Sequence, residues 1–303
     1  LGDVYKRQDV SFDVKKGEIF CVMGLSGSGK STLVRHFNRL LEPTAGKIVI
    51  HGTDVMGLDP QSLMDFRNRK IGMVFQNFAL LPHRSVLDNV AMPLEIRNIN
   101  KNERMRRAAN MLKTVELDAW GNKYAHELSG GMQQRVGLAR ALAADPDVLL
   151  MDEPFSALDP LIRNDLQDEF LTLSRDMKKT TLFITHDLDE AMKMGDRIAI
   201  MKDGRIDQTG TPEQIVLHPE TDYVARFVGS ISTLKYLSAS EIAVPGDIAA
   251  DAPRLGPNAP LPVLIEALAN GADHLAITDG DTVLGRIGRP ELLSAVGRDL
   301  ERN

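Results

Sequence analysis

The sequence predicts an α/β fold with a mixed, largely parallel sheet, on the basis of three observations. Short apolar runs with strand character alternate with helical stretches through most of the chain. A glycine-rich segment at residues 24–32 connects one such strand to a helix. Between about residues 77 and 145 the strand patterns stop and charged helical stretches replace them, which predicts a helical subdomain inserted between strands of the sheet.

The individual elements follow from hydrophobic periodicity and from turn residues. Apolar runs, alternating or continuous, predict strands at residues 10–14, 18–23, 47–51, 71–75, 148–151, 181–185, 197–201 and 205–208. Helical periodicity predicts helices at residues 32–41, 60–69, 101–113, 136–144, 161–178 and 189–194. A further helix is predicted to begin with Pro212 at its first position, where the missing N–H of proline is harmless.

The composition and pattern of the sequence change at both ends. Residues 1–8 contain a run typical of a translated sequencing adapter, so we expect them to be non-native. Residues 230–260 include a stretch rich in Ala, Pro, Gly and Asp, which predicts a linker. Residues 261–303 then predict the order helix, strand, turn, strand and helix, which would form a small α+β tail.

Composition narrows the class of protein. The chain has 303 residues, of which 43% are hydrophobic and 26% charged, as in a globular protein with one large and one small domain or with two medium ones. The net charge of −6 gives no reason to expect a nucleic-acid partner. No apolar run approaches the roughly 18 residues of a membrane-spanning helix. The single cysteine, Cys21, excludes an internal disulfide, and its apolar neighbours predict a buried thiol rather than a reactive one.

The glycine-rich segment matches the phosphate-binding pattern G-x-x-x-x-G-K-[ST], and it lies between a strand and a helix as that pattern requires. Glycines let the backbone curl around phosphates, and the amide N–H groups at the helix N-terminus attract the anion. Lys30 is expected to reach the β- and γ-phosphates, and the Ser31 hydroxyl to hold Mg²⁺. The predicted nucleotide-binding residues are Gly24, Leu25, Ser26, Gly27, Ser28, Gly29, Lys30, Ser31 and Thr32.

Two adjacent carboxylates end the predicted strand at residues 148–151. Asp152 at the tip of a buried strand beside a phosphate loop can hold Mg²⁺ through water. Glu153 can act as the general base that polarises an attacking water. By itself this pattern is weak, because a strand followed by a solvated acidic turn is common.

A second anion site is predicted where Leu128, Ser129, Gly130 and Gly131 open a helix. The alternative is an ordinary helix start capped by serine. Leu-Ser-Gly-Gly, about twenty residues before the acidic strand, closely resembles the signature of ATP-binding-cassette (ABC) ATPases. This resemblance implies a P-loop NTPase cassette fold over residues 9–229, ATP and Mg²⁺ as ligands, and a head-to-tail homodimer. In that dimer, the signature covers the γ-phosphate bound by the other copy.

The resemblance also implies roles for residues outside these motifs. Gln76 matches the glutamine that contacts Mg²⁺ and water, and His186 matches the histidine that holds the γ-phosphate. The loop that crosses the dimer interface is matched by Ser156, Ala157, Leu158 and Asp159. Met132 stands where many cassettes have Gln, and we interpret this difference as neutral. Cassettes usually have an upstream aromatic residue that stacks on adenine, but Tyr5 lies in the suspect N-terminal run and is not assigned that role.

A narrower resemblance covers residues 24–28, 75–83, 157–163 and 186–192, which are similar to the ATPase subunit of glycine betaine, proline and choline importers. It implies transmembrane permease subunits, a solute-binding protein outside the cell, and a peripheral position on the cytoplasmic face of the cell membrane. No residue in these segments is expected to contact the solute, so the substrate class rests on resemblance alone.

Alternatives remain for the function and for the tail. The chain could serve another small-solute importer, an exporter, or a cassette protein that acts on DNA or ribosomes, although its net acidity and the lack of heptads argue against the last. Residues 261–303 are similar to a single cystathionine-β-synthase (CBS) motif, whose paired forms sense ionic strength or bind nucleotide. A small dimerisation or packing module is the alternative for this tail.

Overall fold

The computed structural model describes residues 10–229, 231–246, 248–249, 252–280 and 282–302. The chain divides into two compact units, Leu1–Thr209 and Gly210–Asn303. The predicted non-native run at residues 1–8, with Tyr5, lies outside the described residues. In the part of the chain that is described, no helix is both long enough and apolar enough to span a bilayer.

The first unit is built on a six-stranded sheet. Its strands are β1 (Ile19–Met23), β4 (Ile71–Phe75), β5 (Val148–Asp152), β6 (Thr180–Thr185), β7 (Arg197–Lys202) and β8 (Arg205–Gly210), while β2 (Val49–Ile50) and β3 (Thr53–Asp54) form a separate two-stranded sheet. The large sheet has the order β4-β5-β6-β1-β7-β8. Strand β1 is parallel to β6 and β7, and β5 is parallel to β4 and β6. All five residues of β1 are buried, as expected for a central strand covered on both faces.

The helices of this unit are α1 (Lys30–Phe37), α2 (Pro60–Lys70), α3 (Val86–Ile96), α4 (Lys101–Thr114), α5 (Gly130–Ala143), α6 (Pro160–Met177) and α7 (Leu188–Met194). Three of them, α3, α4 and α5, lie between β4 and β5 in the sequence and share a hydrophobic core. That core includes Val90, Leu94, Leu112, Val136 and Ala139. The α/β class and the mixed, largely parallel sheet predicted from the sequence are therefore confirmed.

One predicted strand is wrong. Among the described residues, positions 10–14 form no strand. Val10, Phe12 and Val14 instead pack on the core of the sheet, and the ring of Phe12 stacks on Phe20 at 4.8 Å between centroids. The alternating pattern that suggested a strand thus reflects one buried face of an extended segment without a strand partner among those residues.

The second unit contains α8 (Pro212–Leu217), α9 (Asp222–Val228), α10 (Ala239–Ile242), β9 (Arg254–Leu255), α11 (Leu261–Ala269), β10 (His274–Asp279), β11 (Thr282–Gly288) and α12 (Arg289–Arg302). Its three-stranded sheet has the order β11-β10-β9. Elements α11, β10, β11 and α12 follow the predicted order of the tail. Elements α10 and β9 come from the segment predicted as a linker, and Ile242 is buried in the same core as Leu264 and Ile287.

Candidate nucleotide-binding site

The carboxyl ends of four neighbouring parallel strands bring the predicted site residues together. In the sheet register, Met23 at the end of β1 pairs with Thr185 at the end of β6, and Asp152 at the end of β5 pairs with Ile184 of β6 and Phe75 of β4. The loops that leave these strands therefore start at one edge of the sheet. In open α/β sheets this edge is where ligands bind.

The phosphate loop follows β1, and the conformation and surroundings of its first residue leave room only for glycine. Gly24 has a φ of 152°, and a Cβ there would lie 2.1 Å from the carbonyl oxygen of Met201. At the other end, Gly29 has a φ of 106° and precedes the first residue of α1. The glycines thus allow the loop to close tightly before the helix begins, which leaves the N-terminus of α1 at its inner side.

Lys30 is almost fully buried, and its ammonium is held inside the loop. Its Nζ donates to the carbonyl oxygens of Gly24 at 2.7 Å and Leu25 at 3.1 Å. Burial lowers the pKa of Lys30, whereas the nearby carboxylates of Glu153 and Asp152 act in the opposite direction. These bonds fix the ammonium where a phosphate group enclosed by the loop would meet it.

A buried hydroxyl in the same loop tests whether phosphate fits there. The Oγ of Ser28 is buried and has no hydrogen-bond partner in the described part of the chain. It lies 3.0 Å from the place of a Cβ on Gly24, the first residue of the loop. A buried hydroxyl without a partner costs about 1–3 kcal/mol, and a phosphate oxygen in the loop would remove that cost. The site therefore fits a phosphate group.

The residues predicted to hold Mg²⁺ are partly brought together. The Ser31 hydroxyl donates to Asp152 Oδ1 at 3.0 Å, so two oxygen donors meet beside the loop. One hydroxyl and one carboxylate suit Mg²⁺, which usually takes its other ligands from phosphates and water. Gln76 follows the strand residue that pairs with Asp152, and its side chain is exposed.

The predicted base and histidine are in direct contact. His186 Nδ1 lies 3.0 Å from Glu153 Oε2. Because a carboxylate only accepts hydrogen bonds, the hydrogen in this bond belongs to Nδ1 when Glu153 is ionised. Glu153 itself has a left-handed backbone with a φ of 47°, and its N–H donates to the carbonyl of Ile184 at 3.0 Å. This conformation is uncommon for a residue other than glycine, and such positions concentrate at functional sites.

The predicted signature lies at the start of α5, a helix of 14 residues. Ser129 caps the helix, since its Oγ accepts the N–H of Met132 at 3.3 Å. Ser129 and Gly130 are exposed, whereas Leu128 and Gly131 are buried and Met132 packs against the core of the three helices. Because Ser129 and Gly130 are exposed, an anion bound at this helix start would lie at the surface of the chain.

Comparison with known proteins identifies the family of this chain. The family profile described as ABC transporter matches residues 7–156. The trimethylamine N-oxide transport system ATP-binding protein TmoW of Ruegeria pomeroyi is 48% identical over 93% of this chain and 83% of its own length. The chain belongs to the ATP-binding proteins of ABC transporters.

Two further similarities support this family assignment. The glycine betaine transport ATP-binding protein OpuAA of Bacillus subtilis is 56% identical over 76% of this chain, which spans 55% of that relative's length. Among solved structures, the dimeric post-hydrolysis state of the ATP-binding cassette MJ0796 bound to ADP and Pi has a TM-score of 0.64 and 37% identity, covering 70% of this chain and 94% of that one. The predicted ABC cassette fold and the resemblance to the ATP-binding proteins of glycine betaine transport are therefore confirmed.

The loop matched to the dimer crossing of ABC cassettes starts three residues after Glu153, the predicted base, and is held by hydrogen bonds within the chain. Ser156 Oγ donates to the carbonyl of Glu153 at 2.9 Å. Ala157 and Asp159 are exposed, whereas Leu158 is buried. The carbonyl of Leu158 accepts a hydrogen bond from the Arg163 guanidinium at 3.2 Å. The loop is thus anchored at Ser156 and Leu158, and it exposes Ala157 and Asp159.

Sequence reasoning missed two buried charged residues, Arg140 and Glu190. Arg140 on α5 donates to the carbonyls of Phe78 at 2.8 Å and Ala79 at 2.5 Å, two consecutive residues with positive φ in the loop after Gln76. Glu190 on α7 is buried behind the His186 turn. The sequence signal that could have found them is a charged residue within an otherwise apolar helix segment. Glu190 is such a residue, because its neighbours Ala191 and Met192 on α7 are apolar and buried.

Proposed function

We propose that this chain binds and hydrolyses ATP with Mg²⁺, and that it drives transport as the paired ATP-binding subunit of an ABC importer. The observation that carries the proposal is the contact between Glu153 and His186 at the sheet edge that also holds the phosphate loop. A carboxylate oriented by a neighbouring side chain is what activation of water requires.

The residues of the chain divide the work of hydrolysis. Lys30 and the amides of the phosphate loop bind the phosphates, and Glu153 takes a proton from the attacking water. His186 orients the Glu153 carboxylate and contacts the γ-phosphate. Ser31, Asp152 and Gln76 would hold Mg²⁺, which supplies positive charge that stabilises the phosphates during cleavage.

A second copy of the chain completes each site. The exposed start of α5, at Ser129 and Gly130, offers a serine hydroxyl, backbone N–H groups and a helix N-terminus to an anion. The cassette MJ0796, to which this chain is similar, is described as a dimer with ADP and Pi. We infer a head-to-tail homodimer in which the loop at residues 156–159 crosses the interface and ATP lies between the phosphate loop of one copy and the signature of the other.

The relatives indicate the class of solute. The OpuAA protein is named for glycine betaine and the TmoW protein for trimethylamine N-oxide. Both solutes are small molecules with a methylated nitrogen, so we infer a solute of that class: glycine betaine, proline betaine, choline or, as the second candidate, trimethylamine N-oxide. L-proline, which has no methylated nitrogen, is a candidate from the narrower sequence resemblance alone. The chain then lies on the cytoplasmic face of the membrane with permease subunits and an external solute-binding protein, and without nucleic acid. Its tail at residues 261–303 acts as a single CBS-like module.

Replacing the base tests hydrolysis. Glu153→Gln should slow turnover by roughly 10²–10⁴-fold, the usual size of a general-base contribution, while ATP binding measured by calorimetry persists. Asp168→Asn is the matched control, because Asp168 is a carboxylate that is 67% exposed on α6. Near-normal turnover of the Glu153 variant would contradict the assignment.

Blocking the signature tests the dimer. In the Glu153→Gln background, Ser129→Arg should abolish ATP-dependent dimers in light scattering and leave ATP binding by the monomer intact. Asn100→Arg, at the exposed cap of α4, is the control for an added charge at a helix start. ATP-dependent dimers that persist with Ser129→Arg would rule out the proposed arrangement.

Membrane association and solute can be tested together. The tagged chain should co-purify from membranes with a permease, and ATP hydrolysis by the reconstituted complex should respond to glycine betaine or trimethylamine N-oxide. Activation by an unrelated amino acid alone would assign the chain to another importer.

A further inference from the structure

The turn after β6 that carries His186 is anchored by a buried polar network. Thr185 Oγ1 donates to Glu190 Oε2 at 2.6 Å and accepts the N–H of Asp187 at 3.0 Å. Gln167 Nε2 of α6 donates to Glu190 Oε1 at 3.2 Å. Thr185 and Glu190 are 1% and 3% exposed. Thr185 and Asp187, which flank His186, are therefore held in place by Glu190. Gln167 connects Glu190 to α6.

A single arginine links this network to the loop at residues 156–159. Arg163 Nη1 donates to Asp187 Oδ2 at 3.1 Å, and its Nη2 donates to the carbonyl of Leu158 at 3.2 Å. Its Nε is buried without a hydrogen-bond partner among the described residues and lies 3.9 Å from Glu190 Oε1. Because the guanidinium is a rigid planar fork, these contacts set the distance between the two loops.

The network is held at an electrostatic cost. Burial raises the pKa of Glu190, while its hydrogen bond from Thr185 and the charge of Arg163 oppose that shift. Apolar residues of similar volume are often as stable as a buried ion pair. Packing alone therefore gives no reason for charges at this position, whereas a need to fix two loops precisely does.

We propose that Arg163 is a positioning residue for hydrolysis. It holds the turn of His186 at a fixed distance from the loop at residues 156–159, and so keeps His186 against Glu153. Since that loop is expected to contact the second copy, Arg163 also makes the position of His186 depend on pairing. The inference rests on the proposed role of His186.

Steady-state kinetics of Arg163 variants provide the first test. Arg163→Ala should lower kcat by about 10-fold and leave KM for ATP within about 2-fold, because small displacements of a catalytic group affect the chemical step most. Arg163→Lys should not restore kcat, since one ammonium cannot reproduce the fork. Arg175→Ala, an exposed arginine on the same helix, is the control and should behave as the unmodified chain.

A double-mutant cycle separates positioning from general structural damage. In a His186→Ala background, measured with radiolabelled ATP in single turnovers, Arg163→Ala should lower the rate by less than about 2-fold, because the residue it positions is gone. Equal losses in both backgrounds, or an unchanged kcat for Arg163→Ala alone, would overturn the inference. Unchanged turnover of His186→Ala would instead overturn the proposed role of His186, and this inference with it.

A second variant covers the case in which Arg163→Ala does not fold. Asp187→Asn removes the negative partner of Arg163, while asparagine still caps α7 as aspartate does. It should show the same loss of kcat and the same dependence on His186. If Asp187→Asn folds and hydrolyses ATP at the normal rate, the inference is overturned.

Discussion

The start of helix α5, which carries the predicted signature, packs against α6 at Gly131. A Cβ on Gly131 would lie 2.6 Å from Ile162 Cγ2 and 3.8 Å from Leu166 Cδ1. Gly131→Ala would therefore require either the Ile162 side chain or the two helices to shift by about 1 Å to reach ordinary contact. Overpacking of this kind costs about 1–3 kcal/mol, and the higher helix propensity of alanine returns up to about 1 kcal/mol. Taking the middle of the first range, about 2 kcal/mol, we expect a net loss of about 1–2 kcal/mol.

Urea unfolding followed by the fluorescence of Trp120, the single tryptophan, measures this loss in the first unit. Adding Ile162→Ala should recover most of the stability, since it removes the clashing methyl group from a side chain that is already 38% exposed. Gly130→Ala is the matched control, because its Cβ would have no neighbour closer than 3.6 Å. A Gly131→Ala chain as stable as the original, or a loss that Ile162→Ala leaves unchanged, would refute the reasoning.

Three other substitutions test separate parts of the structure. Gly24→Ala should weaken ATP binding by more than about 10-fold in calorimetry, because its Cβ would lie 2.1 Å from the carbonyl oxygen of Met201; normal binding would contradict the path of the loop. Burial raises the pKa of Glu190 above 4.5, so the folded chain holds a proton that the unfolded chain releases. The stability of the original chain relative to Glu190→Gln should therefore fall as pH rises from 4.5 through the folded pKa, and a difference that is flat in urea unfolding against pH would rule this out. Arg140→Ala removes both donors to the loop at residues 76–80 and should cost roughly 2–4 kcal/mol, seen as faster amide exchange there; unchanged exchange would contradict the role of the arginine.

Local patterns made much of the fold predictable. The phosphate loop could be predicted from nine consecutive residues, 24–32. They directly follow a buried strand, and they contain both the glycines and the start of the helix. Helices α2 and α6 start where an aspartate precedes a proline, at Asp59 and Asp159. The proline fits the first helical turn, and Asp59 also accepts hydrogen bonds from the N–H groups of Gln61 and Ser62.

Features that depend on distant partners were not predictable. Residues 10–14 alternate like a strand, and only the tertiary structure shows that Phe12 stacks on Phe20 without strand pairing among the described residues. The link from Arg163 to Asp187 joins residues that are 24 positions apart, one on α6 and the other at the N-cap of α7. Periodicity reports which face of a helix is buried, but not which charged group it meets across the core.

The position of Glu153 explains why pairing and hydrolysis would be inseparable in this cassette. Its left-handed backbone, with a φ of 47°, costs about 1–2 kcal/mol relative to a right-handed one. Hydrogen bonds from Glu153 N–H to Ile184 and from Ser156 Oγ to the Glu153 carbonyl offset that cost. The second of these bonds comes from the loop at residues 156–159, which Arg163 ties to the turn of His186. In the proposed dimer, a displacement of that loop would weaken the support of Glu153 and move His186 in the same event, so hydrolysis would respond to docking of the second copy without a separate signal.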